Sequence, residues 1–198
     1  FIGGVSKIVT DFSEVSKIVH GSTVGTNALL EKRGAKTGII TTEGFADILE
    51  MRRRDRPRTW GLKGEFVPVV DRKFRREVSE RVLANGDVLE PVNIEDLNTQ
   101  VESLIESGHE SVCLFFVNSY ANEINEKVAA EHIRRMWPNK FVSVSTEILP
   151  EMREFERLST TVLNAYLQPV VSSYLDKLTR RLILKGYDDE ILIVPVSY

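Results

Sequence analysis

Apolar positions along the chain keep two rhythms. Short dense runs of them, Ile18 to Gly21, Lys36 to Thr42, Ser111 to Val117, Lys140 to Ser145 and the final ILIVPVS, read as strands. SVCLFFV is apolar throughout, as expected of a strand covered on both faces. Between them the spacing turns helical: Thr26 to Arg33 with Gly34 as its stop, a short helix over Gly44 to Met51, an amphipathic helix over Ile94 to Glu106, and another over Glu123 to Met136. Arg153 to Lys185 is helical but interrupted at Pro169, which predicts a kink or two helices. Strands separated by helices of about ten residues or more pair in parallel and build a layered α/β fold. Phe66 to Val92 breaks that rhythm. Its short strands around Asn85-Gly86 predict a small β-hairpin insertion or an antiparallel extension of the sheet.

Composition narrows the class. The 198 residues suit one domain or slightly more, with ordinary apolar and charged fractions. A net charge of -3 argues against nucleic acid as a partner. No apolar run approaches the roughly 20 residues that span a bilayer, and no signal peptide is visible, so no membrane partner is expected. The single cysteine, Cys113, sits in an apolar run and reads as an inert core thiol in a reducing, cytoplasmic setting. The start on Phe1 and the apolar end suggest that both ends are cut from something longer.

The stretch HGSTVGTNALLEKRG, His20 to Gly34, holds the clearest candidate chemistry. A strand ending in Gly-Ser-Thr and feeding a helix presents N–H groups and hydroxyls at the positive helix end, a general anion seat. His20 adds a group that changes charge near neutral pH. Thr23 or Thr26 as a plain helix cap, with His20 packed beneath, is the competing explanation. The stretch matches neither a P-loop nor a dinucleotide fingerprint. FIGGV at the start lacks the acidic residue and hydroxyls of a phosphate loop, and helical packing of Phe1 to Val9 is expected instead. Arg52, Arg53, Arg54, Arg56 and Arg58 form an all-arginine loop beside Trp60, suited either to gripping carboxylate or phosphate or to plain solvation. Within PEMREFERLSTTVLNAYLQP, Arg153 with Glu156 and Glu154 with Arg157 can pair on a helix surface. Ser159, Thr160, Thr161 and Asn164 are poor helix-interior residues whose polar groups need partners. His109 and His132 stand alone, and no HExxH or CxxC appears, so no metal site is expected.

The run HGSTVGTNALLEKRGAKTGIITTEGFADILEMRRRDRP resembles the N-terminal region of the hydantoinase A/5-oxoprolinase family, of which N-methylhydantoinase A is typical. ERVLANGDVLEPV, FFVNSYANEINE and SVSTEILPEMREFERLSTTVLNAYLQPVVSSYL resemble it in the same order, from about Val15 to Leu192. The resemblance implies an actin-like, sugar-kinase-like (ribonuclease H-like) ATPase fold. It assigns residues 1–150 to the N-terminal region and 151–198 to the start of the core domain. It also implies an ATP-dependent hydrolase that opens hydantoin or 5-oxoproline-type rings by phosphorylating the amide oxygen. ATP and Mg²⁺ would serve the full-length enzyme. A hydantoinase B-type subunit or domain would complete it, in a homo- or hetero-oligomer. His20 and Thr23 become the expected catalytic residues, and Thr26, Asn27, Arg52, Arg56 and Asn164 the residues that bind the cyclic amide. The family's two phosphate loops are expected upstream of Phe1 and beyond Tyr198, so no cofactor is expected on these 198 residues alone, nor any ATPase activity. EMRRRDRPRTWGL departs from the 5-oxoprolinase pattern and leans the substrate toward the hydantoinase side. Two alternatives stand: a non-catalytic module that docks a partner, and the ATP-using subunit of an acetone or acetophenone carboxylase.

Overall fold

The computed structural model describes residues 2–9, 11–53 and 67–195. In chain order the elements are α1 (Ile2–Val5), β1 (Ile18–Ser22), α2 (Val24–Leu30), β2 (Thr37–Thr42) and α3 (Ile48–Met51). Then come β3 (Arg75–Val78), β4 (Arg81–Val82), β5 (Val88–Glu90), α4 (Ile94–Glu106) and β6 (Ser111–Phe115). The chain continues through α5 (Ile124–Met136), β7 (Val142–Val144), α6 (Ser145–Ile148), α7 (Glu154–Ile183) and β8 (Ile191–Pro195). They fall into two compact units, one of residues 1–34 with 167–198, the other of residues 35–166. This spatial division is distinct from the family-based one at residue 150.

The larger unit is a parallel sheet of four strands in the order β3-β2-β6-β7. Alternation sorts the side chains of its two central strands. Ile40, Val112 and Leu114 face one core with α4 and α5, while Ile39, Cys113 and Phe115 face another with Leu49, Leu158 and Val162. Every residue of β2 and β6 is buried, as a strand covered on both faces requires. Helix α4 begins where Asn93 Oδ1 accepts the Asp96 N–H at 3.1 Å, and it buries Leu97, Val101 and Leu104, four and three residues apart. It lies so close to β2 that a Cβ on Gly38 would come within 2.7 Å of Leu104.

Three expectations are corrected. The segment after the arginine loop is not wholly an insertion: Arg75–Val78 joins the main sheet as a parallel edge strand, and only β4 and β5 form the antiparallel hairpin, turned at Gly86 with φ 90°. The helix foreseen from Gly44 shrinks to Ile48–Met51, because Gly44 takes a left-handed φ of 83°, in a turn whose Gly44 and Ala46 N–H groups go to Glu77 Oε1 (3.0 and 3.2 Å). Helix α7 runs through Pro169 as one element, which removes the two-helix alternative. Proline removes one helical hydrogen bond, a loss of roughly 3 kcal/mol. Apolar contacts on both sides offset it: Leu158, Val162 and Ala165 before, Leu178 and Leu182 after.

A wholly buried ion pair closes the carboxyl ends of β6 and β7. Arg157 and Glu126 are both 0 % exposed, 3.7 Å apart. Arg157 donates to the Phe116 carbonyl (2.9 Å), to Ser145 Oγ (2.8 Å) and to Ser119 Oγ, and its guanidinium lies 4.4 Å over the Phe115 ring. Glu126 accepts the N–H groups of Phe116 (3.1 Å) and Thr146 (2.8 Å) and the hydroxyls of Ser119, Ser145 and Thr146. The surface pair foreseen between Glu154 and Arg157 therefore gives way to an internal one. Arg157→Met leaves a buried carboxylate without its cation and is expected to cost about 3–5 kcal/mol in urea unfolding. Adding Glu126→Gln should return part of that loss. A single variant as stable as the parent would show that the pair does not hold these strand ends.

Candidate functional site

In the smaller unit β1 and β8 pair in parallel, with His20 opposite Ile193. Alternation turns Ile18 and His20 inward and leaves Val19 and Gly21 exposed. Two tyrosines locate the strand. Tyr187 Oη takes the Ile18 N–H at 3.0 Å and donates to the Glu190 carbonyl at 2.9 Å, just before β8. Tyr174, from α7, meets His20 Nε2 with its hydroxyl at 2.5 Å. His20 is 8 % exposed, and burial is the largest cause pushing its imidazole below the ordinary value of 6.5. The neutral ring is thus favoured.

Beyond the strand, Ser22 Oγ accepts the Val24 N–H at 3.3 Å. Thr23 occupies the N-cap position of α2 without a side-chain cap bond. Its Oγ1 accepts from Asn27 Nδ2 at 3.4 Å and, among the described residues, donates to none. Thr26 and Asn27 are exposed on the first turns of the helix. The plain helix-cap explanation thus fails for the Thr23 hydroxyl. The helix ends before Gly34: Lys32 takes the left-handed turn with φ 54°, and the Arg33 N–H closes back on the Ala28 carbonyl at 2.8 Å.

Arg52 and Asn164 lie in the larger unit. Arg52 follows α3 with φ 47° and ψ -147°, a setting that costs a non-glycine residue about 1–3 kcal/mol. Arg75 fixes the segment before it, donating to the Val70 carbonyl (2.7 Å), the Ala46 carbonyl (2.9 Å) and Glu50. Arg52, Arg53 and Arg153 line one open cleft of ≈ 400 Å³ with Met51, Phe155 and Glu156. Arg53 pairs there with Glu156, in place of the expected Arg153. Arg54, Arg56, Arg58 and Trp60 lie outside the described residues. Asn164 Nδ2 donates to Ser143 Oγ of β7 at 2.9 Å, Thr161 Oγ1 to the Arg157 carbonyl at 2.7 Å and Ser159 Oγ to the Glu156 carbonyl at 3.2 Å, so these three have the partners foreseen as needed, while Thr160 is exposed. Cys113 is buried, and burial pushes its thiol well above the usual range. His109 is buried with Nδ1 2.9 Å from the Leu104 carbonyl.

Sequence reasoning missed Tyr174, which sits in an unremarkable helical YLDKL, and Glu80. Glu80 is 2 % exposed and accepts from Thr42 Oγ1 and from Asn125 Nδ2 (2.8 Å). Thr42 Oγ1 in turn takes the Val117 N–H at 2.9 Å, so the chain of bonds ties the ends of β2 and β6 together. Among the described residues no three histidine, cysteine or acidic side chains gather where they could hold a metal ion. No described helix is long and apolar enough to cross a membrane.

The parallel sheet with its helices defines an α/β protein, and the pattern of residues places it more narrowly. The family model for the hydantoinase/oxoprolinase N-terminal region matches residues 3–137, and the chain belongs to that family. It is 38% identical to an uncharacterized protein of Methanocaldococcus jannaschii over 99% of this chain and 30% of the relative. It is 32% identical to the caprolactamase subunit alpha of Pseudomonas jessenii, over 81% of this chain and 23% of that one. It is 28% identical to the 5-oxoprolinase of Dictyostelium discoideum, over 98% and 17%. The crystal structure of the ATP-dependent caprolactamase from Pseudomonas jessenii superposes on 97% of this chain and 29% of its own, with a TM-score of 0.89 at 28% identity. The chain thus spans less than a third of the length of these relatives.

Burial is the largest cause raising the Glu80 carboxyl, against the lowering by Thr42 and Asn125. Its folded value lies above the ordinary 4.5, so its contribution to stability is full below 4.5 and is lost as pH rises through the folded value. Glu80→Gln should therefore gain stability relative to the parent as pH rises above 4.5. Urea midpoints measured for both across that range check it; a constant difference between them would contradict the assignment.

Proposed function

We propose that the chain is a segment of the ATP-using subunit of an enzyme that hydrolyses a cyclic amide. The observation that carries this reading is the backbone match to the caprolactamase over nearly the whole chain, at a TM-score of 0.89. An unstrained amide resists water, and the nucleotide, when bound in the longer protein, supplies the activation that makes ring opening favourable. ATP and Mg²⁺ then serve the longer protein. In this reading the partner is a hydantoinase B-type subunit or domain, and the setting is the cytoplasm, where the lone thiol stays reduced.

The segment's own part begins at the β1–α2 turn. His20 is the middle residue of parallel strand β1, and the turn after that strand's carboxyl end supports this reading, since ligands of open α/β sheets approach from that end. His20 orients the cyclic amide or, having first taken up a proton from the attacking water, passes one to the ring nitrogen as the carbon–nitrogen bond breaks. Thr23, with a hydroxyl hydrogen not given to any described residue, donates to the oxygen that gains charge. Thr26 and Asn27 are the remaining polar contacts proposed for the substrate in this unit. In the larger unit, Asn164, Arg52 and Arg56 are proposed by themselves as groups that bind carbonyl or carboxylate.

The test uses the longer protein with its partner, supplied with ATP and hydantoin, 5-oxoproline or caprolactam. Ring opening that depends on ATP and releases ADP in proportion is expected for at least one. ATP turnover that none of the three stimulates would overturn the proposal. His20→Asn is expected to keep the fold and to lower kcat by about 10²-fold or more. Arg52→Ala should raise KM more than it lowers kcat, because a clamp on the substrate holds ground and transition states alike. An unchanged KM would return the arginine loop to plain solvation.

A further inference from the structure

We propose that Tyr174 is a positioning residue for His20: its phenolic hydrogen goes to Nε2 and holds the ring in the Nδ1-protonated form. Four observations lead there. The contact is short, 2.5 Å between Oη and Nε2. The ring is inward-facing and 8 % exposed, with its charged form disfavoured by burial. A neutral imidazole has one N–H and one lone pair, so the Oη–Nε2 contact must match a donor with an acceptor. Among the described residues the Tyr174 hydroxyl has no acceptor other than Nε2, and donating to it satisfies both atoms. With the lone pair of Nε2 engaged, the ring's own proton lies on Nδ1.

The tyrosine is itself held. Its ring packs against the cluster of Phe12, Ile18, Leu178 and Leu182, and its centroid lies 5.9 Å from that of His20. Strand β1 is pinned two residues earlier by Tyr187 through the Ile18 N–H, so neither partner of the contact is free to drift along the strand. Fixing the tautomer decides which ring nitrogen offers a hydrogen and which accepts one, and so which end of the imidazole serves a leaving nitrogen. This role in turnover rests on the reading of His20 given above, whereas the tautomer itself does not.

Nitrogen-15 spectra of the histidine-labelled longer protein, with His20 assigned by its loss in His20→Asn, test the assignment. The wild-type ring should show a pyrrole-like Nδ1 and a pyridine-like Nε2. In Tyr174→Phe, which keeps the packed ring, the pattern should move toward the Nε2-protonated form that free imidazole prefers in water. An Nε2-protonated wild type, or a pattern unmoved by Tyr174→Phe, overturns the proposal. In the longer enzyme Tyr174→Phe should lower kcat by about 10–100-fold, the scale for losing a histidine's orienting partner, with KM unmoved. An undiminished kcat overturns the positioning role. Full activity in His20→Asn overturns instead the reading of His20, and leaves the tautomer assignment standing.

Discussion

The larger unit depends on one buried ion pair. A guanidinium and a carboxylate removed from water cost several kcal/mol each, and only full hydrogen bonding can offset that. Glu126 meets the demand with backbone N–H groups from Phe116 and Thr146, and Arg157 meets most of it with the Phe116 carbonyl and two serine hydroxyls, its Nε alone lacking a partner among the described residues. Those partners come from the ends of β6 and β7, so satisfying the charges fixes where both strands stop. The first turns of α7 are thereby set against the sheet, and Phe155 and Glu156 are carried to the cleft that Arg52 and Arg53 line.

A second polar chain does for β2 what the ion pair does for β6 and β7. The Val117 N–H, the Thr42 hydroxyl, the Glu80 carboxylate and the Asn125 amide form an unbroken sequence of donors and acceptors. Parallel strands lack hairpin turns to hold their ends level, and side chains supply the restraint here. The smaller unit solves a like problem with phenols. Tyr187 bridges the start of β1 to the residue before β8, and Tyr174 holds the histidine two positions on.

The sequence made the elements legible where periodicity was long. Ile94–Glu106 begins and ends where its apolar spacing said, and the parallel sheet followed from strands separated by helices. It failed where a distant side chain took over a local decision. Gly44 turns with φ 83° while Glu77 holds the Gly44 and Ala46 N–H groups of that turn, and α3 starts only at Ile48, which no local pattern announces. Arg157 looked like half of a surface pair because Glu154 lies at helical spacing, whereas its true partner is 31 positions away. Lys32 rather than Gly34 turns the chain after α2 because the closing bond to Ala28 falls there. For the candidate site, strand, turn and His20 were legible together; its partner was not, since Tyr174 is 154 positions distant.

The long helix explains why a stretch with so little amphipathic order is worth keeping unbroken. Its residues do not share one apolar stripe: Leu158, Val162 and Ala165 serve one core, Leu178 and Leu182 another. Between them it must satisfy Thr161 and Asn164 and carry Pro169. A helix that answered only to a single core would have a single stripe and no reason for hydroxyls or proline in its middle. Here the same element supplies the buried cation of one unit and the phenol that meets His20 in the other. The residues through which it acts on its surroundings, Arg157 at the strand ends and Tyr174 at His20, are thus spread along the whole helix and not confined to one face.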